Sequence, residues 1–190
     1  MTTSTMHAST TSSTWTLDPA HTLVEFAAKH LMITTVKGRF TGVSGTIHID
    51  ETDPTASSVE AVIDSASIDT RTDQRDAHLK SADFLEVARY PEITFRSTRV
   101  ERAGDAHYRV TGDLTIHGVT RPVVLDVHDE GRTKDPWGGE RAGFSATTRI
   151  SRKDFGLTWN QLLETGGVAV SDEVKISIDL EIVAQAQAAA

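Results

Sequence analysis

The side chains with chemical reach in this chain are its eight histidines, its carboxylates and a few clustered cations, because it holds no cysteine. Without cysteine there is no disulfide, no thiolate nucleophile and no cysteine-ligated zinc. The histidines are His7, His21, His30, His48, His78, His107, His117 and His128. No two stand four apart, as a helical metal site needs, and no two stand two apart, as ligands on one strand face do. The expectation is no metal, with His21, His30, His78 and His117 hydrogen-bonding at turns, helix caps or a pocket rim. A serine hydrolase of the nucleophile-elbow type needs Gly-x-Ser-x-Gly on a sharp strand-to-helix turn. Gly42-Val43-Ser44-Gly45 is one residue short of that and sits in a strand pattern. No carboxylate pair is placed by spacing alone to share acid and base roles. The chain reads as a binding protein with no catalytic residue.

The cations form two groups. Lys29, Lys37 and Arg39 lie near Phe40, and Arg149, Arg152 and Lys153 near Phe155. An arginine fork suits a phosphate or pyrophosphate, so Lys37 and Arg39 are candidate contacts for a ligand head group; a solvated charged surface is the alternative. No glycine-rich phosphate loop is present. The formal net charge of -8 argues against nucleic acid as a partner. No stretch approaches the roughly 18 apolar residues of a membrane-spanning helix.

The elements that must position these residues are strands. Val174, Ile176, Ile178, Leu180 and Ile182 alternate with Lys175, Ser177, Asp179 and Glu181. That period of two gives a strand one dry and one wet face. The same alternation recurs at Val24–Ala28, Gly45–Ile49, Val59–Ile63, Ile93–Phe95, Tyr108–Ile116, Val123–Val127 and Phe144–Ile150. Ala103-Gly104-Asp105 and His117-Gly118 read as hairpin turns, and Asp135–Gly139 as a longer loop. The segment of about 73–88 breaks the pattern and reads as short helix covering one end of a sheet, with Asp73 as N-cap and Asp76 completing the cap. Arg71 and Arg75 are expected to pair with nearby acids. Trp159–Gly167 reads as a long loop that can fold over a barrel mouth. The fold class is all-β, an eight-stranded antiparallel barrel, since closure removes exposed strand edges. Domain limits fall at a disordered Ser/Thr-rich tail over 1–14, one barrel over 15–183 and a flexible Ala/Gln tail over 184–190.

Six segments sharpen this reading: Trp15–His21, Lys37–Phe40, Ser67–Thr70 running into Gln74–Phe84, Tyr90–Phe95, Gly112–Pro122 and Asp154–Leu157. In this order and spacing the chain resembles the YceI-like family of polyisoprenoid-binding, lipocalin-like proteins. The resemblance implies a hollow barrel holding a long-chain isoprenoid or similar amphiphile, such as a polyprenyl compound or an isoprenoid quinone, and often a homodimer. Many members carry a signal peptide. None is read here, so a cytoplasmic protein is expected, one that carries or stores lipid or protects against stress.

Phe26, Phe40, Phe84, Phe95 and Phe144 are five of the six phenylalanines, and nearly all fall on inward or cap positions. They line a cavity if the barrel is hollow and fill a core if it is solid. With the resemblance, the expected ligand-binding residues are Phe26, Ala28, His30, Phe40, Phe84, Ile93, Phe95, Leu114, Phe144, Leu157, Trp159 and Leu162. A lipid-processing enzyme using the same pocket, and a solid barrel acting through its surface, stay open.

Overall fold

In a computed structural model, which describes residues 12–164 and 167–185, the inward-facing alternation becomes a closed wall. β1 (Ser12–Leu17) and β2 (Leu23–His30) lie end to end, and so do β3 (Thr34–Phe40) and β4 (Val43–Asp50). β5 (Ser58–Asp64) and β6 (Ile68–Asp69) continue one another in the same way. The helix α1 (Asp73–Lys80) follows, then β7 (Glu92–Gly104), β8 (His107–Ile116), β9 (Val119–Lys134) and β10 (Glu140–Ser151). Two short strands, β11 (Leu162–Leu163) and β12 (Gly167–Val168), pair with each other before β13 (Val170–Ala184) ends the sheet.

Counted as positions around the wall, the order is β1/β2, β3/β4, β5/β6, β7, β8, β9, β10 and β13, eight in all and each antiparallel to the next. β13 then closes the ring by pairing twice on its free side. Leu17 stands opposite Ile182 in β1, and Val24 opposite Ile178 in β2. The expected eight-stranded antiparallel barrel with a short helix is what forms. Ser12–Thr14 belong to β1 and Ala184 to β13, so the sheet reaches past both expected domain limits; residues 1–11 and 186–190 lie outside the described residues.

The helical segment differs in detail. α1 ends at Lys80 and the chain continues to Tyr90 in tight turns, such as Leu85 N–H to Leu79 C=O at 3.0 Å. Its N-cap is Thr72, not Asp73, and no side chain caps it. Asp76 reaches back instead, accepting from the Thr70 amide at 2.9 Å and the Thr70 hydroxyl at 2.5 Å. Arg75 donates to the Thr70 hydroxyl and carbonyl at 2.7 and 2.8 Å rather than to an acid. Thr70 is buried. Its polar atoms outcompete the helix end for these side chains because a buried unpaired polar group costs more than an exposed one.

The strand break over 18–22 is held by one arginine. Arg141, on β10, donates to Asp18 at 2.8 Å, to Asp135 at 2.9 Å and to Glu181. Hydrogen bonds from His21 and Arg141 hold the Asp18 carboxyl down at about 2. The Arg141 guanidinium likewise lowers the Asp135 carboxyl. A carboxylate whose folded pKa lies below its unfolded value adds stability above the unfolded pKa and loses it as pH falls through the folded one. The seam should therefore weaken between about pH 4 and pH 2. Arg141→Gln is expected to flatten the fall in Tm across that window, measured by thermal melts at stepped pH.

Candidate functional site

The barrel is hollow. A cavity of about 400 Å³ runs along its interior, within the range of small-molecule pockets. Val174, Ile176, Ile178 and Leu180 all face it from β13, and all keep accessible surface although they point inward. Every other strand position contributes in turn, through residues such as Val59, Val110, Leu125 and Ala146. Two packed clusters stand at either end of this space. One gathers Trp15, Leu17, Val43 and Ile182; the other gathers Ile68, Leu85, Ile116 and Phe155 beside α1.

Two glycines make room for aromatic rings along the wall. A Cβ at Gly38 would sit 2.3 Å from Cζ of Phe26, and one at Gly112 would sit 2.4 Å from Cζ of Phe95. Both distances are far inside van der Waals contact, so each ring covers bare backbone on a neighbouring strand. Phe26 and Phe40 then meet with ring centroids 5.7 Å apart.

The end bearing α1 is covered by a second layer. His78, Phe84 and Trp159 form a ring cluster, with centroids 4.7 Å apart for His78–Trp159 and 5.2 Å for Phe84–Trp159. Arg152 fixes the covering loop from below. It is 4% exposed, and it donates to the carbonyls of Leu157 at 2.6 Å, Trp159 at 2.8 Å and Ser171 at 2.9 Å. Burial lowers its pKa from the ordinary arginine value, and Asp172 opposes that.

The opposite end carries the polar part of the wall: Asp50, Glu51, Ser57, Asp129 and Arg132. Arg132 donates from Nη1 to both Glu51 carboxylate oxygens at 2.9 Å and lies over the Trp15 ring at 5.4 Å. Burial pushes the Glu51 carboxyl up, but hydrogen bonds from Arg132 and Ser13 outweigh it and leave the group below its usual value.

Nine of the twelve expected pocket residues line the cavity: Phe26, Ala28, Phe40, Phe84, Ile93 and Phe95, with Leu114, Phe144 and Leu157. Three do not. His30 is exposed at the end of β2, Trp159 backs the cap from outside the cavity, and Leu162 is 82% exposed. The two candidate head-group contacts are also displaced. Lys37 and Arg39 flank the inward Gly38 on β3, so strand alternation sends both outward, and Arg39 pairs with Asp69 at 3.1 Å. Of the second cation group, Arg149 pairs with Glu173 and Lys153 with Asp172 on the outside, and only Arg152 reaches the cavity. Sequence reasoning missed Arg132 and Glu51 at the polar end and Thr22 in the wall. The Thr22 hydroxyl is buried without a hydrogen-bond partner. Its signal was available, since Thr22 continues the inward series Val24, Phe26, Ala28.

A closed antiparallel barrel with an apolar hollow and a helical cap is a barrel of the lipocalin-like class. The family model described as YceI-like domain matches residues 15–182, and the chain belongs to the YceI-like family. Protein YceI of Escherichia coli O6:H1 (strain CFT073) is 43% identical over 165 residues, covering 87% of this chain and 83% of that protein. The crystal structure of Burkholderia cenocepacia BcnA superposes with a TM-score of 0.77 at 27% identity, over 87% of this chain and 98% of that one. A structure from Saccharophagus degradans, described as a polyisoprenoid binding domain implicated in plant cell wall breakdown, has the same fold. Its TM-score is 0.64 at 21% identity, over 90% and 98% of the two chains.

Arg152 is the tie that holds the covering loop. Replacing it with Ala leaves several buried carbonyls unpaired, and unfolding free energy should fall by at least about 2 kcal/mol in denaturant melts. Loss of the cap's ring cluster should show in the same variant as altered Trp fluorescence.

Proposed function

We propose that this protein binds a long-chain apolar lipid, of the polyprenyl or isoprenoid-quinone kind, lengthwise in its barrel. The observation that carries the reading is the continuous aliphatic and phenylalanine wall around a cavity of about 400 Å³. Such a wall gains about 0.8 kcal/mol for each methylene taken from water, and a chain of repeated apolar units uses its whole length. The Saccharophagus domain described as polyisoprenoid-binding shares the barrel, which supports the reading at the level of fold.

Placement of polar groups sets the ligand's orientation. The tail points toward α1, where Leu79, Phe84 and Leu85 close the cavity. The head group sits at the opposite end beside Arg132, with Glu51 as its resting partner. Carriage or storage fits better than turnover, because two polar side chains of the wall are committed elsewhere and the buried Thr22 hydroxyl has no hydrogen-bonded base. Arg152 is taken up by carbonyls, and the Thr148 hydroxyl donates to the Val124 carbonyl at 2.8 Å.

Native mass spectrometry of purified protein, followed by solvent extraction, tests the proposal. A released apolar lipid, and uptake of added polyprenyl compounds after extraction, is the expected result. Protein from several hosts that carries no lipid and takes up none defeats it. Ala146 lines the middle of the cavity. Ala146→Phe should abolish uptake while costing little stability, since its ring enters empty space. A loss of about 1–3 kcal/mol would mark the site as close-packed.

A further inference from the structure

The outer wall of the barrel holds a second constellation, unrelated to the cavity. His107 opens β8 and His128 lies on β9, where the two are direct cross-strand partners. Asp126 stands two residues before His128, on the same outward face. The imidazole rings stack with centroids 4.4 Å apart and planes within 3°. The Nε2 atoms of both rings lie near one carboxylate oxygen, Asp126 Oδ1, at 2.7 Å from His107 and 3.5 Å from His128. Side-chain exposures are 27% for His107, 49% for Asp126 and 53% for His128.

We propose that His107, Asp126 and His128 form a binding site for a divalent transition-metal ion, with zinc as the type ligand. Two imidazoles and one carboxylate are a borderline donor set, suited to Zn²⁺, Ni²⁺ or Cu²⁺ and ill suited to Ca²⁺ or Mg²⁺. A tetrahedral ion with bonds of 2.0–2.1 Å holds its donors about 3.3 Å apart. One donor atom from each residue lies within 4.8 Å of the others. The two observed distances to Asp126 straddle the ideal, and rotation of half-exposed rings closes the remainder. The fourth position stays open to water. The backbone beneath is held by cross-strand pairing, with His128 opposite His107 on one side and Ser145 on the other.

A contrast within the same molecule supports the assignment. Asp18, His21 and Glu181 also bring three donor atoms together, but there Arg141 donates to both carboxylates and neutralises them. Among the described residues no lysine or arginine lies within ion-pair distance of Asp126; its close side-chain neighbours are the two imidazole rings. Arg109, Arg149 and Lys175 line the groove beside it. Their screened repulsion keeps the expected affinity on the order of micromolar rather than tighter.

The test is calorimetric titration of the full chain, without an affinity tag, with ZnCl₂ at pH 7.5. Saturation near one equivalent is expected. His107→Ala and His128→Ala should each weaken binding at least tenfold, and Asp126→Asn should weaken it too. His21→Ala, in the cluster already filled by Arg141, should leave it unchanged. Zinc should raise Tm of the parent protein and not of His107→Ala. Circular dichroism checks that the variants keep the barrel; the substituted side chains are on its outer wall. No saturable binding, binding indifferent to the two histidine variants, or binding lost in His21→Ala overturns the proposal.

Discussion

The double pairing of β13 is the constraint on which the rest depends. One continuous strand of 15 residues bonds β10 along one edge and both β1 and β2 along the other. Without it the sheet would end in two free edges, which are costly in water and prone to pairing with other chains. With it, every inward side chain faces other inward side chains, and the interior has no lateral exit. The break over 18–22 is tolerated because β13 spans it and Arg141 ties its flank to Asp135 and Glu181.

Closure alone does not make a hollow. A barrel of this strand number can be filled by its own side chains. Here the rings of Phe26 and Phe95 lie against the wall, over Gly38 and Gly112. The inward residues of β9, β10 and β13 are mostly Val, Ile, Leu and Ala, too short to reach across. Their missing contacts are a standing cost, since atoms facing a void lose dispersion partners on that side. A ligand that filled that space would complete the core and so raise the stability of the fold.

Much of this was legible in the sequence, and the reasons for the rest are physical. Strand alternation gave the wall, and the phenylalanines gave its inner face, because a period of two is a local property. Lys37 and Arg39 were misplaced although the same alternation, with Gly38 and Phe40 facing in, sends them out; nearness to Phe40 in sequence was mistaken for nearness to the cavity. Trp159 sits in a loop whose course is set by Arg152 and by packing on His78 of α1, and Leu162 in the short strand β11 beyond it, neither of which a local pattern encodes. The grouping of His107 with His128 was readable by a different route. The two-residue turn at His117 and Gly118, both at positive φ, fixes the β8–β9 register. Residues ten before and ten after that turn must then face each other. Spacing rules within one strand overlook a pair made across two.

The seam has one further consequence. Trp15 pairs with Ala184, and the Gln185 amide donates to the Thr14 carbonyl at 2.8 Å. First and last strands thus leave the wall side by side, at the end away from α1. As an object, the barrel is a ring with no natural starting point. Its chain could be joined there by a short linker and reopened at the Asp105–Ala106 turn with the wall unchanged. For the same reason, a segment grafted at Ser12 or Gln185 would leave the wall by the polar rim, away from the helical cap.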